Sequence, residues 1–197
     1  MDVQGQMISS SERGQILKKT IQNYNCKKIV EIGTWKGMGS TLCILESMLP
    51  DSEFVTLESN KTFFDIAVNN LKEYEGKFKM VYGSIVSYDE VSSFSSNYNL
   101  ESFKQEWLKE DLDNINMCPN VIDEIPSEID FLLLDGGEFS TYPEWNKLKE
   151  RTKIVALDDI REIKTSLIHH ELSNDKNYEL LDKTNDGNGF SIFKKIN

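Results

Sequence analysis

The segment KKIVEIGTWKGMGS, residues 27–40, decides the fold, because it joins a short apolar strand to a helix through a glycine-rich turn. The strand is predicted at residues 27–33 and the helix at residues 40–48. Glycines at such a junction let the backbone turn sharply and approach a ligand closely, at the sheet edge where open α/β folds bind ligands. The segment therefore predicts an α/β sheet with a ligand site at the tip of its first strand.

Apolar runs alternate with helical patterns along the rest of the chain, as in βαβ units. Ser9 and Glu12 have capping-box spacing and predict a first helix at residues 12–24. The other predicted strands lie at residues 53–58, 78–84, 129–137 and 153–159, and the other helices at residues 60–74, 101–113, from Thr141 onward and 161–172. The tail predicts an antiparallel hairpin around an Asp-Gly-Asn-Gly turn. Together these elements predict a three-layer α/β sandwich with a seven-stranded, mostly parallel sheet whose last strand is antiparallel.

The chain has 197 residues, for which a single domain at residues 1–197 is the default. Residues 1–26 are predicted to form an N-terminal helical segment, and residues 87–126 an insertion. The insertion opens with serine-rich, weakly patterned sequence and is long for a βα connection. It could close over an acceptor as a lid that excludes water, or it could be disordered, and the sequence leaves both interpretations open.

The net charge and the cysteine content indicate which partners the protein can bind and in which cellular compartment it is found. The formal net charge is −11, from 33 acidic and 22 basic side chains, which argues against nucleic acid and anionic membranes as partners. The three cysteines form no C-x-x-C pair, which suggests a reducing compartment. There is no secretory leader pattern and no run of about 18 apolar residues. A cytoplasmic protein is expected, and the sequence leaves a homo-oligomer open.

Two glutamates sharpen the meaning of the glycine-rich turn. Glu31 lies two residues before the first glycine, and Glu58 ends the second predicted strand. A carboxylate at that second position can accept hydrogen bonds from both hydroxyls of a ribose. The distance in sequence from Gly39 to Glu58 is close to the roughly twenty residues that such a site needs. A tight turn with a solvated glutamate is the alternative, but the two glutamates together favour a cofactor-binding turn.

The glycine spacing G-x-x-x-G-x-G also fits short-chain dehydrogenases, which bind nicotinamide cofactors. Their active site needs a Tyr-x-x-x-Lys pair late in the chain. Here the pair is formed by Tyr24 and Lys28, upstream of the turn, where it cannot serve. An NAD(P)-dependent oxidoreductase is therefore the less favoured alternative.

Five segments in order, EIGTWKGMGST, VTLES, VYGS, FLLLDGG and IVALDD, resemble those of Rossmann-like class I S-adenosylmethionine (SAM)-dependent methyltransferases. The resemblance is strongest to the catechol O-methyltransferase-like and macrocin O-methyltransferase-like bacterial enzymes, and it excludes the insertion. It implies methyl transfer from SAM to an oxygen of a small molecule or a sugar hydroxyl. The sugar rests on GNGFSIFKK, which resembles the last strand of bacterial proteins found near sugar-modification genes. A module that binds the cofactor without catalysis is the alternative.

The resemblance also implies which residues contact the cofactor. Glu31, Gly33 and Thr34 would line its methionine portion, and Glu58 would hold the ribose. Ser84 would lie beside the adenine. With Trp35, Gly37 and Gly39 of the glycine-rich turn, the full set of candidate cofactor residues is Glu31, Gly33, Thr34, Trp35, Gly37, Gly39, Glu58, Ser84 and Asp135. Asp135 would lie near the sulfonium, and Trp35 would shield the cofactor or pack in the core.

Three aspartates end two strands that the fold makes neighbours. Asp135 follows one strand, and Asp158 and Asp159 end the next, so their side chains should converge across about 5 Å. Converging carboxylates repel unless a cation joins them, and Mg²⁺ is the natural candidate. The resembled metal-dependent enzymes bind such an ion here, where it would activate the acceptor oxygen. Asp159 could instead cap the helix that follows, so the sequence leaves the metal open.

Asp135, Asp158 and Glu138 are the candidate catalytic residues. Catechol-type enzymes carry a His near the position of Gly136-Gly137 and a Lys slightly later as a base, and this chain departs from that pattern. Glu138 is the nearest candidate base, and a surface loop residue is the alternative.

Overall fold

Seven strands form one sheet in the computed structural model, which describes residues 5–196. The strands are β1 (Lys28–Ile32), β2 (Glu53–Glu58), β3 (Lys79–Tyr82), β4 (Ile129–Leu134), β5 (Thr152–Asp158), β6 (Tyr178–Thr184) and β7 (Phe190–Lys195). Their order across the sheet is β3-β2-β1-β4-β5-β7-β6. Strands β1 to β5 are parallel to one another, and β7 is antiparallel to both β5 and β6. The predicted sheet, with its antiparallel last strand, is confirmed.

The strand order indicates at which edge of the sheet a ligand would bind. The chain moves outward from β1 to β2 and β3, and then crosses back to β4 on the other side of β1. A crevice opens outside the carboxyl ends of the strands at such a switch point, and ligands bind there in open α/β sheets. The turn after β1 and the loops after β2, β4 and β5 all reach this edge.

Helices cover both faces of the sheet. They are α1 (Glu12–Asn23), α2 (Ser40–Ser47), α3 (Lys61–Asn70), α4 (Tyr88–Ser95), α5 (Ser102–Met117), α6 (Thr141–Leu148) and α7 (Ile163–Asn174). Leu17 of α1 and Ile44 of α2 pack in one core with Ile29 of β1. Trp145 of α6 and Ile168 of α7 pack in a second core with side chains from the opposite face. The three predicted layers follow from this division.

Two predicted helix starts are wrong in detail. Ser11, and not Ser9, is the N-cap of α1, and its hydroxyl accepts a bond from the Gly14 amide. The Ser9 hydroxyl instead donates to Glu46. The predicted cap Thr141 is the first residue inside α6, and its hydroxyl donates to the carbonyl of Gly137 and not to an amide of the first turn.

The insertion at residues 87–126 is largely helical. Helix α4 begins with a capping box between Ser87 and Glu90, although its serine-rich sequence predicted no helix. Helix α5 extends further than the predicted residues 101–113, and Val91 and Ile115 anchor the two helices in the core. Of the N-terminal segment, residues 1–4 lie outside the described residues. No helix within residues 5–196 combines the length and apolar character needed to cross a bilayer.

Candidate active site

The turn after β1 is pressed against the loop after β4. Gly33 has a φ of 98°, and a Cβ built there would lie 2.1 Å from the carbonyl oxygen of Asp135. Only glycine adopts this conformation readily, and only glycine fits the space. The amides of Gly33 and Thr34 both donate to the carbonyl of Leu57 in β2, at 3.0 and 3.1 Å. The turn is therefore fixed between two neighbouring strands.

Glu58 closes the turn from the end of β2. One carboxylate oxygen accepts the Trp35 amide at 2.7 Å and the other accepts the Asn60 amide at 2.8 Å. Burial raises the pKa of Glu58 to about 7, against the opposing effect of those backbone amides. The Trp35 ring contacts Phe63 edge-on, with centroids 6.0 Å apart, and Lys36 lies over it. Trp35 thus packs against a neighbour and also lines the cavities described below.

Glu31 lies beneath the turn and does not reach a cavity wall. Its fully buried carboxylate accepts hydroxyl bonds from Ser40, Thr41 and Thr56, at 2.6 to 2.7 Å. Burial raises the pKa of Glu31 to about 7, and the three hydroxyls oppose that effect. Its visible role is to hold the start of α2 under the turn, so contact with the methionine portion of a cofactor would have to pass through Ser40.

Of the remaining candidate cofactor residues in the turn and after β3, Gly39 lines a cavity, whereas Gly37 and Ser84 do not. Gly39 lines a cavity beside the N-terminal Gly5, whereas Gly37 packs against Leu71 at the end of α3. The Ser84 hydroxyl is buried and bonds to the backbone of Val86. Its neighbour Gly83 lines the cavity in its place.

Two adjoining cavities open at the carboxyl edge of the sheet, and they share Gly33, Trp35 and Asp135. The first, of about 310 Å³, is called the aspartate cavity here. Its lining residues are Gly5, Gln6, Met7, Gly33, Thr34, Trp35, Gly39, Ser40, Asp135, Asp158, Asp159 and Lys164. The second, of about 170 Å³, is called the Glu58 cavity, and it is lined by the loops after β2 and β4 and by α5. A ligand that spans both cavities passes Asp135.

The three predicted aspartates do converge, and two basic side chains converge with them. One oxygen from each of Asp135, Asp158 and Asp159 lies within 4.8 Å of the others. The Lys164 ammonium bonds to Asp135 at 2.7 Å and to Asp159 at 2.8 Å. The Arg13 guanidinium, from α1, bonds to Asp158 at 2.8 Å. Each carboxylate therefore has a cationic partner within the chain.

Lys164 remains charged in this setting. Burial lowers its pKa, but attraction to Asp135, Asp159 and Asp158 outweighs burial, so the net shift is upward. Oxygen ligands suit a hard cation in type, but the Lys164 ammonium already lies between Asp135 and Asp159 and would repel a divalent ion there. The residues present do not fit a metal while Lys164 occupies this position.

Glu138 forms part of an ion-pair triad outside both cavities. Lys104 of α5 bonds to Glu138 at 2.5 Å and to Glu162 at 2.8 Å. The triad ties the insertion to the loops after β4 and β5. The position favours the alternative that Glu138 is a loop residue with a structural partner.

Asp111 and Glu144 are acidic residues of the Glu58 cavity that the sequence analysis did not single out. Asp111 of α5 accepts the Phe139 amide at 2.7 Å, and burial raises its pKa to about 6. Burial, with Asp111 adding to it, raises the pKa of Glu144 to about 8. Glu144 Oε2 is buried and has no hydrogen-bond partner among residues 5–196. This cavity therefore offers acceptors to a ligand that carries N–H or O–H donors.

Lys164 and Arg13 were also missed, for different reasons. Lys164 lies in the first turn of α7, where the helix dipole opposes a positive charge. A lysine at this unfavourable helix position could have indicated, from the sequence alone, that carboxylates lie nearby. Arg13 lies 145 residues from Asp158 in sequence, and nothing local marks it.

The comparison with known families covers the first half of the chain. Residues 2–104, just over half of the chain, match the model of a family described as O-methyltransferase. None of the curated proteins matches the chain.

Solved methyltransferase structures share the fold. A methyltransferase from Geobacter sulfurreducens matches 96% of this chain and 82% of its own, with a TM-score of 0.64 and 12% identity. An O-methyltransferase from Bacillus cereus in complex with SAH matches 94% and 81%, with a TM-score of 0.62 and 15% identity. The O-methyltransferase TomG from Streptomyces achromogenes, involved in tomaymycin synthesis and in complex with SAM, matches 95% and 81%, with a TM-score of 0.63 and 15% identity.

Proposed function

Because the chain belongs to the O-methyltransferase family, we propose that it transfers the methyl group of SAM to an oxygen atom of a small-molecule acceptor. The observation that carries this proposal is the pair of adjoining cavities, which meet at Asp135 beside the fixed glycine turn. The structural neighbours in complex with SAM and SAH support the choice of donor.

The Glu58 cavity suits the adenosyl part of the donor. Glu58 ends β2 and lines this cavity, so its carboxylate would accept the ribose hydroxyls. The adenine would lie toward Gly83, next to Ser84, with Asp111 and Glu144 as acceptors for its amino group. The methionine portion would run along Gly33 and Thr34 toward the aspartate cavity.

The aspartate cavity would hold the acceptor. Methyl transfer is an in-line displacement in which the acceptor oxygen bonds to the methyl carbon while the carbon–sulfur bond breaks and sulfur keeps its electron pair. The hydroxyl proton must pass to a base. We assign that role to Asp135, because it lines both cavities, and not to Glu138, which lines neither cavity. Asp158, held by Arg13, and Asp159 would position the acceptor.

The acceptor is expected to carry hydroxyl groups, because carboxylates and an ammonium line its cavity. A sugar hydroxyl is one such group. Helix α5 contributes residues to the wall of the Glu58 cavity, which is consistent with a lid role for residues 87–126. The cytoplasmic location and the homo-oligomer stay predictions.

Calorimetric titration with SAM and with NADH tests the proposal. We expect SAM to bind and NADH not to bind. Glu58→Gln should weaken SAM binding at least about tenfold, because hydrogen bonds to a charged group contribute roughly 1.5–3 kcal/mol each. Glu53→Gln, at the other end of the same strand, is the matched control and should bind as the wild type does. Binding of NADH in preference to SAM would exclude a methyltransferase.

Transfer itself is measured with SAM carrying a deuterated methyl group and a panel of catechols and sugars, read by mass spectrometry. We expect a labelled methyl ether with wild type and none with Asp135→Asn. If SAM binds tightly but no acceptor in a broad panel is labelled, the chain is a binding module, which is the second candidate function.

A further inference from the structure

We propose that Lys164 takes the place of a divalent metal ion in the aspartate cavity, bridging Asp135 and Asp159, so that the site works on charges supplied by the chain. This inference concerns the acceptor end of the proposed active site and rests on the proposed function only for the reaction that the site serves.

The Lys164 ammonium bridges the carboxylates of Asp135 and Asp159. It lies 2.7 Å from Asp135 Oδ1 and 2.8 Å from Asp159 Oδ2, and its side chain is 9% exposed. A Mg²⁺ bound to the same carboxylates would need to lie about 2.0–2.1 Å from their oxygens. That requirement places the ion next to the ammonium, and both cannot bridge the same pair.

The third carboxylate is also engaged. Asp158 is held by the Arg13 guanidinium at 2.8 Å, and the two side chains are 6% and 3% exposed. Arg13 comes from α1, which packs on the opposite face of the sheet from α7, so two separate parts of the fold deliver cations to one cluster. A metal held by all three carboxylates would have to displace both cations, whereas a metal that bridges Asp135 and Asp159 would displace Lys164 alone.

The position of Lys164 in its helix supports a dedicated role. It is the second residue of α7, where the positive end of the helix dipole disfavours a lysine. The carboxylates offset that cost here. Asp159 Oδ1 is buried without a hydrogen-bond partner among residues 5–196 and lines the same cavity. A hydroxyl of the acceptor satisfies that oxygen as well as a cation would, and we assign it to the acceptor.

Manganese binding followed by electron paramagnetic resonance tests the proposal without reference to activity. Mn²⁺ is the probe, since it takes the same oxygen ligands as Mg²⁺. We expect no stoichiometric binding by the wild type and uptake of one equivalent by Lys164→Met, at least about tenfold tighter than by the wild type. Lys147→Met, which removes a lysine paired with Glu90 far from the cluster, is the matched control and should bind as the wild type does.

Two outcomes overturn the proposal. One is stoichiometric Mn²⁺ binding by the wild type that Asp159→Asn abolishes. The other is a folded Lys164→Met protein, judged by circular dichroism, that takes up no Mn²⁺. If Lys164→Met does not fold, the Mn²⁺ titration of the wild type decides: absence of stoichiometric binding supports the proposal, and binding that Asp159→Asn abolishes overturns it. SAM calorimetry on the same samples keeps this result separate from the proposed function, because loss of SAM binding and gain of Mn²⁺ are independent readings.

Discussion

Gly33 shows how one residue sets the geometry of the site. Alanine there would combine a left-handed backbone with a Cβ only 2.1 Å from the Asp135 carbonyl oxygen. Gly76 has a similar φ of 80°, with nothing within 4 Å of an added Cβ. Gly76→Ala should therefore cost only the backbone strain, about 1–2 kcal/mol. Gly33→Ala should cost several kcal/mol more, measured by urea denaturation.

Equal losses in the two glycine variants would show that the turn and the β4 loop accommodate a Cβ at residue 33 without a steric cost. The two substitutions can be compared because each adds one methyl group at a glycine with a positive φ, 98° at Gly33 and 80° at Gly76.

Glu144 gives the protein a pH-dependent stability. Its folded pKa is about 8 against an ordinary value of 4.5, so its burial is tolerated at low pH and opposes folding as pH rises toward 8. Glu144→Gln removes this titration. The free energy of unfolding of the variant, relative to wild type, should rise by about 1.4 kcal/mol for each pH unit between pH 5 and pH 7.5.

Denaturant titrations at four pH values measure that slope. Glu73→Gln, at an exposed position, is the control and should follow the wild type at every pH. A Glu144→Gln curve that stays parallel to the wild type would mean that Glu144 is ionised in the folded protein.

For single residues, the sequence predicts correctly those site residues that lie at the end of a predicted strand. Gly33, Glu58 and the three aspartates could be singled out because each ends a strand or follows one closely. Lys164 and Arg13 could not be paired with them, because the pairing depends on where α7 and α1 lie against the sheet.

The insertion helix α5 lines the Glu58 cavity through Glu110, Asp111 and Asn114. Lys104 joins it to Glu138 and Glu162, and the three side chains are 17%, 11% and 34% exposed. Lys104→Met should loosen the helix and raise the rate of amide hydrogen exchange across α5 on the order of tenfold. The reason is that partly buried charge pairs hold it to the β4 and β5 loops.

Hydrogen exchange with mass spectrometry measures this effect. Lys109→Met lies on the same helix and removes an exposed pair with Asp113, so its exchange should match the wild type. Unchanged exchange in Lys104→Met would show that α5 is held by its apolar contacts alone.

The strands were predictable because their apolar runs are short, buried and bounded by glycine or charge. The β4 run was extended to residue 137 in the prediction, and the strand ends at Leu134 because the chain there turns into the cavity wall. Helix α4 was missed since its serines have low helix propensity. Its capping box and the packing of Val91 and Ser95 compensate.

On the scale of the whole molecule, Arg13 connects the N-terminal helix to the last parallel strand. Arg13→Met leaves the buried Asp158 carboxylate without that partner, so unfolding should require about 3–5 kcal/mol less. Lys18→Met, also on α1, removes a more exposed pair with Glu46 and should cost about 0–1 kcal/mol. Urea denaturation of both variants measures the difference. A loss below about 1 kcal/mol in Arg13→Met would refute this role.

The pairing of β4 with β5 was predicted from the fold that the sequence resembles, and the register between the two strands confirms it. The meeting of the N-terminal segment with the aspartate cavity could not be predicted, because it depends on one long-range approach between Gly5 and Gly39.

That approach has a practical consequence for handling the protein. Gly5, Gln6 and Met7 border the aspartate cavity, so a bulky group attached at these residues would lie at the wall of that cavity. Strand β7 runs antiparallel and ends beside the starts of its neighbours, at the edge of the sheet away from the cavities. A label attached near Lys195 would therefore lie at the opposite edge of the sheet from both cavities.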